Sequence, residues 1–304
     1  MTSTHTSLPA ACQREVKASA RLAARWLGVA AVLAALIWSY WPVIRSLISE
    51  WRTDDNYSVG GLIPLVAITL LWNDRKKLAQ CTVQPSLWGL AIIIPALLAR
   101  AYGMVALFES AERYSLVVMI AGLVLLIGGR EVFRKTVWVL LFLFLMVPLP
   151  GRVHNLVSGP LQSLATTGTV MTLELLGITV VQEGHMMVVN DNLRVGVAEA
   201  CSGLRMLTAF VAVAAGMAYI IRRPPWQKFI LLCSSIPIAI LCNWARAVAT
   251  VFLLIAVSSS FAEKFFHDFA GFAMMPLALI ALVVELRILS LLLVEDKHEQ
   301  LSPS

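Results

Sequence analysis

An all-α polytopic membrane protein is the fold this sequence predicts, and three observations predict it. Hydrophobic residues make up 59% of the 304 residues and charged residues only 14%, where soluble domains carry about 25% charge. The mean hydropathy is +0.80. The apolar residues are grouped into runs near the ~20 residues a helix needs to cross ~30 Å of hydrocarbon. Basic residues gather between alternate runs.

About eight spans can be read from the runs: Leu22–Ile44, Ser58–Trp72, Ser86–Phe108, Tyr114–Gly128, Thr136–Leu149, Gly203–Ile221, Phe229–Val257 and Asp268–Leu293. The runs at Ser58 and Thr136 are short, so seven is the alternative. Loops that retain Lys and Arg stay cytoplasmic. Arg14, Lys17, Arg21 and Arg25 precede the first run, Arg75, Lys76 and Lys77 follow the second, and Arg130, Arg134 and Lys135 follow the fourth. Arg222, Arg223 and Lys228 separate the sixth from the seventh, and Arg287 and Lys297 close the chain. A cytoplasmic N-terminus puts all of these on one side. The expected organisation is a cytoplasmic tail over 1–21, a membrane domain over 22–293 and a cytoplasmic tail over 294–304. The net charge of +6 follows from the same asymmetry and calls for no nucleic-acid partner.

Residues 150–202 then form an outer, periplasmic segment. Val153, Val157, Leu161, Leu164, Gly168, Met171 and Leu175 recur every three to four positions from Arg152 to Leu176. That is an amphipathic helix suited to lying at the membrane surface, with a ninth span, polar face inward, as the alternative. After Gly177 the period changes. Ile178–Val181, a Glu183-Gly184 turn and Met186–Val189 predict a short β-hairpin, and Leu193, Val195 and Val197 alternate with Arg194 and Gly196 toward Cys201.

Of the five cysteines, Cys12 and Cys81 fall in cytoplasmic segments and Cys233 and Cys242 within a span. Only Cys201 is placed outside, so no outer disulfide framework is expected. Cys201 stands in Ala198-Glu199-Ala200-Cys201-Ser202-Gly203-Leu204-Arg205, at the outer mouth of the sixth run. A free cysteine is usually an inert small hydrophobe. Here Arg205 and a helix N-terminus favour the thiolate. Arg246, in Asn243-Trp244-Ala245-Arg246, falls in the outer part of the long seventh run; an arginine within a span costs about 2.5–3.5 kcal/mol on insertion scales. The bland reading is snorkelling to headgroups. Arg100 also falls in an apolar run, and the sequence offers no role for it. His267, in His267-Asp268-Phe269-Ala270-Gly271, opens the eighth run at its outer end. A thiol, a guanidinium and an imidazole on one rim are the parts of a thiol-based acyl transferase: Cys201 as nucleophile, Arg246 as oxyanion or substrate stabiliser, His267 as general acid/base. Glu199, Ser202, Gly203, Arg205, Asn243 and Asp268 are the supporting candidates. No His-Glu-x-x-His run or cysteine pair at ligand spacing is present, so neither metal nor other cofactor is expected.

The ordered runs around Cys201, Arg246 and His267 resemble the three signature motifs of the exosortase/archaeosortase family, in its bacterial exosortase branch. The resemblance extends to Pro148-Leu149-Pro150-Gly151-Arg152 and to Tyr57-Ser58 with Leu62-Ile63-Pro64-Leu65. Members often carry histidine after that serine, where this chain has Val59 and Gly60. The resemblance implies a membrane cysteine protease or transpeptidase in protein sorting. Its clients would be membrane-anchored secreted proteins with a C-terminal motif of the PEP-CTERM type, a transmembrane helix and a basic tail. Two other classes compete. A transporter would need polar residues near the midplane of several spans, which are scarce here. A non-catalytic component of an envelope or exopolysaccharide assembly gives no reason for the three groups on one rim.

Overall fold

The computed structural model of the chain describes residues 10–184, 186–189, 193–196, 203–221, 223–256, 276–277 and 279–288. Its helices are α1 (Ala10–Thr53), α2 (Ile63–Asn73), α3 (Arg75–Ala79), α4 (Trp88–Ala106), α5 (Glu109–Phe142), α6 (Gly151–Leu175), α7 (Gly203–Ile220) and α8 (Pro225–Ala256). Two 3-10 turns lie at Asp55–Leu62 and Leu143–Met146, and three strands at β1 (Val180–Glu183), β2 (Met186–Val189) and β3 (Leu193–Gly196). Among the described residues, five helical stretches are long and apolar enough to cross a membrane: Leu27–Thr53, Trp88–Ala106, Glu109–Met146, Gly203–Ile220 and Pro225–Phe252. The fold is an all-α polytopic membrane protein with one small sheet.

The chain forms two compact units, one from residues 10–47 and 82–133, the other from 48–81 and 134 onward. In the first, Tyr40, Val43 and Leu47 of α1 are buried, and the Tyr40 hydroxyl lies 3.2 Å from that of Ser115 on α5. Arg113 is only 7% exposed but satisfied, donating to Ser46 Oγ at 2.7 Å and to Glu109 at 2.5 Å. Arg100 acquires a role here. It donates to the hydroxyl and carbonyl of Ser39 and stacks its guanidinium 4.2 Å from the Tyr40 ring centroid, so it ties α4 to α1. Helix α5 is broken at Gly129, whose φ of 82° and ψ of −177° are non-helical. A side chain there would be strained. The break falls immediately after the expected end of the fourth run.

The second unit is built on α7 and α8, which pack antiparallel. Met206 and Phe210 of α7 meet Ala239 of α8, while Ala214 and Ala218 further down meet Leu231 near the start of α8. Small residues on α7 permit this close packing, as is common between helices in lipid. Leu282 and Leu286, in the helical residues 279–288, complete that core. The 18 residues of α7 cover about 27 Å and the 32 of α8 about 48 Å at 1.5 Å each. The end of α8 therefore runs well past α7. It meets α6 and the sheet there, in a core of Ala165, Val170, Leu173, Val180, Met187, Val189, Ala247 and Val251. The strands pair antiparallel in the order β1-β2-β3, in register Val181↔Val188 and Val188↔Arg194. The expected hairpin thus carries a third strand.

One sequence expectation needs correction. The run Ser58–Trp72 is not one spanning helix. Asp54 caps a 3-10 turn by accepting from the Asn56 amide at 2.8 Å, and the α-helical part is the 11 residues of α2, about 16 Å long. A detail is added to α6, which begins and ends within a residue of expectation and leaves much of its apolar stripe exposed, but buries some of its hydroxyls. Thr166 and Thr169 are 0% exposed and Ser158 is buried, whereas Leu164 of the apolar stripe is 58% exposed. The buried hydroxyls are satisfied by their own helix: Thr166 donates to Gln162 O at 2.8 Å and Thr169 to Ala165 O at 2.7 Å. A threonine that back-bonds to the i−4 carbonyl presents mainly a methyl group to its neighbours.

The 3-10 turn is seated by an aromatic. Trp51 Nε1 donates to Met146 O at 2.9 Å, and a Cβ on Gly60 would stand 2.5 Å from that nitrogen. Only glycine fits beneath the fixed indole. Gly60→Ala is expected to destabilise the protein by about 1–3 kcal/mol through overpacking, read from thermal unfolding in detergent. In a Trp51→Ala background the same change should cost markedly less.

Candidate active site

Two of the three motif regions are brought together by α7 and α8. Asn243 is 3% exposed and packs on Gly203, where a Cβ would come 3.1 Å from Asn243 Nδ2. The absence of a side chain at Gly203 is what admits the amide. Its Oδ1 accepts from Arg246 Nη2 at 3.1 Å. Arg246 Nε is buried with no hydrogen-bond partner among the described residues. The guanidinium is therefore held at one end and retains an uncommitted donor at the other.

Direction matters here. Residues of α8 beyond Asn243 run away from the body of α7, because the helices are antiparallel. Arg246 thus lies toward the side from which the chain enters α7 at Gly203. Cys201, Glu199 and Ser202 of the predicted site lie outside the described residues, as do His267 and Asp268.

Below this point a groove of about 410 Å³ opens between α6, α7 and α8, lined by Leu161, Leu164, Gly168 and Met171 on one wall and by Gly203, Asn243 and Trp244 on the other. Trp244 lies against α6, with its Nε1 3.0 Å from where a Cβ on Gly168 would be. The apolar stripe that the sequence assigned to the membrane surface is the wall of this groove. Its polar side chains are Asn243 and Trp244 of the motif and Thr167 of α6.

Arg205, expected to support the thiol, has its described partners on the 3-10 turn. It donates to Ser58 Oγ at 3.1 Å and pairs with Asp55 at 3.7 Å, while Thr208 donates to Asn56 O at 3.5 Å. Its charge is thus shared with a carboxylate of the 3-10 turn. The sequence reading missed His154. Its Nδ1 lies 2.7 Å from the Tyr57 hydroxyl, with ring centroids 5.8 Å apart. Leu161, seven residues on and on the same helical face, packs 3.4 Å from the Cβ position of Gly203. Two helical turns put His154 about 10 Å away along α6. Through Tyr57, His154 holds the Tyr57-Ser58 turn, which meets Arg205 of α7 through Ser58. The only sequence signal was its position beside the Pro148–Arg152 segment. Among the described residues no three His, Cys, Asp or Glu side chains gather to hold a metal ion.

A polytopic membrane protein in which Gly203, Asn243 and Arg246 meet where an antiparallel helix pair begins is the class this geometry defines. The profile of the transmembrane exosortases (Exosortase_EpsH) matches residues 51–284, and the chain belongs to that family. Comparison with curated proteins and with solved structures finds no match.

Asn243 is the one described side-chain partner of Arg246, so its loss has a defined cost. Asn243→Leu keeps the volume but leaves Nη2 without an acceptor. The expected destabilisation is about 1–3 kcal/mol, measured by thermal unfolding in detergent. An unchanged midpoint would show that the hydrogen bond contributes nothing.

Proposed function

We propose that the protein is a membrane cysteine protease or transpeptidase that cleaves the C-terminal sorting signal of secreted proteins at the outer face of the inner membrane. The observation that carries this reading is the Gly203–Asn243–Arg246 arrangement. Two residues of chain separate Cys201 from Gly203, a reach of about 7 Å at most. That short tether supports a reading in which the thiol works near the helix that presents Arg246. Family membership and the resemblance of the three motifs point the same way.

In this reading the Cys201 thiolate attacks the scissile carbonyl carbon of the client. Arg246 Nε donates to the oxyanion that forms, and His267, having taken the thiol proton, gives it to the departing amine. The C–N bond breaks and a thioester remains on Cys201. Water then completes a proteolysis, or an incoming amine a transpeptidation. The apolar groove beside Asn243 and Trp244 suits the last turns of a client's membrane segment, with its PEP-CTERM-type motif at the rim. Glu199, Ser202 and Asp268 flank the reacting groups in the sequence and are assigned to orienting them.

The experiment is processing of a client bearing motif, apolar helix and basic tail in cells expressing each variant. Cys201→Ala abolishes shortening, and Arg246→Gln lowers its rate by about 10²–10³-fold, as loss of one oxyanion donor does. His267→Ala is strongly impaired. His154→Gln, assigned to holding the Tyr57-Ser58 turn rather than to proton transfer, stays within about tenfold of the parent, a drop smaller than general acid–base catalysis supplies. Unchanged processing by the inserted Cys201→Ala protein would favour a transporter or scaffold.

A further inference from the structure

The far end of α7 carries a second polar site, unrelated to the motif residues. Ala218 and Tyr219 lie about 24 Å along the helix from Gly203. Here a cavity of about 380 Å³ is lined by Lys77, Lys135 and Lys228, with Asp74, Tyr219 and Trp138 completing the wall. The three lysines come from α3, the second half of α5 and the start of α8, segments widely separated in sequence.

Three ammonium groups on one cavity make its rim electropositive. Asp74, the carboxylate in the lining, is part of a local network. Asp74 accepts from Lys77 at 2.5 Å and from the Tyr219 hydroxyl, and those hydrogen bonds hold its carboxyl below the usual carboxylate range. Lys135 donates to the Lys77 carbonyl at 3.4 Å, which brings those two side chains to the same edge. Trp138, its indole nitrogen fixed on Ala215 O at 3.2 Å, provides an apolar and aromatic floor together with Leu78 and Ala218. Lysines over an apolar floor at a helix end are suited to an anion that carries a hydrocarbon tail.

We propose that this cavity binds a phosphate group, supplied by an anionic membrane lipid or by free phosphate, at the end of the bundle opposite the candidate active site. Lys77, Lys135 and Lys228 contact its oxygens. Trp138 and the apolar floor receive the glycerol and upper acyl chain when the source is a lipid.

The test uses the full-length protein in detergent, titrated with short-chain phosphatidylglycerol, short-chain phosphatidylcholine or inorganic phosphate, and read by native mass spectrometry and by the shift in unfolding temperature. Phosphatidylglycerol should bind saturably and at least tenfold more tightly than phosphatidylcholine. Lys135→Gln/Lys228→Gln should weaken it by about 20- to 30-fold, from the usual contribution of two basic residues at a membrane surface. Arg75→Gln/Lys76→Gln removes the same charge outside the cavity and should leave affinity within about twofold. If the first double variant does not fold, Lys228→Gln alone, expected to weaken binding by about fivefold, carries the comparison. Inorganic phosphate that competes at millimolar concentration places recognition on the phosphate alone; failure to compete assigns the lipid as the source. Equal binding of the two lipids, or equal loss in the two charge-matched variants, overturns the proposal.

Discussion

Everything at the candidate active site depends on the contact between Gly203 and Asn243. It fixes the level at which α7 meets α8, and with it the level of Arg246. A bulkier residue at 203 would push α8 away and take the amide off the guanidinium. The pairing is also directional. Because the helices run antiparallel, Arg246 extends toward the side from which the chain enters α7. Packing thus sets the electrostatics, and the electrostatics set the chemistry proposed.

Arg100 and Arg246, two of the arginines within apolar runs, show how context separates structure from function. Both leave Nε buried without a hydrogen-bond partner among the described residues. Arg100, however, spends its terminal nitrogens on Ser39 and lays its guanidinium on Tyr40. Cation–π stacking and two hydrogen bonds offset much of the cost of placing the charge there. Arg246 has Asn243. A guanidinium held so sparingly is what a site for a developing anion requires.

Much of the fold is legible in the sequence because the signals are local. The limits of α6, the break after Gly128 and the hairpin after Gly177 follow from hydrophobic period and glycine placement. What the sequence does not disclose depends on distant partners or on how a polar atom is satisfied. The buried face of α6 is one case: Thr166 and Thr169 count as polar in any amphipathicity reading, yet their hydroxyls bond to their own backbone. The 3-10 turn is another, since its seat beneath Trp51 pairs residues whose closeness no local pattern encodes. At the site, Asn243 and Arg246 are readable from the motif, but the Tyr57–His154 bond and the Arg205–Ser58 bond are tertiary facts.

The most direct test is the pH dependence of Cys201 alkylation, quantified on its own peptide in the parent protein and in Arg246→Gln. A guanidinium beside the sulfur predicts an apparent pKa below the ordinary thiol value of about 8.5. Loss of the arginine should raise it by about one unit or more. Superimposable profiles in the two proteins would contradict the account, because the charge would then not reach the thiol.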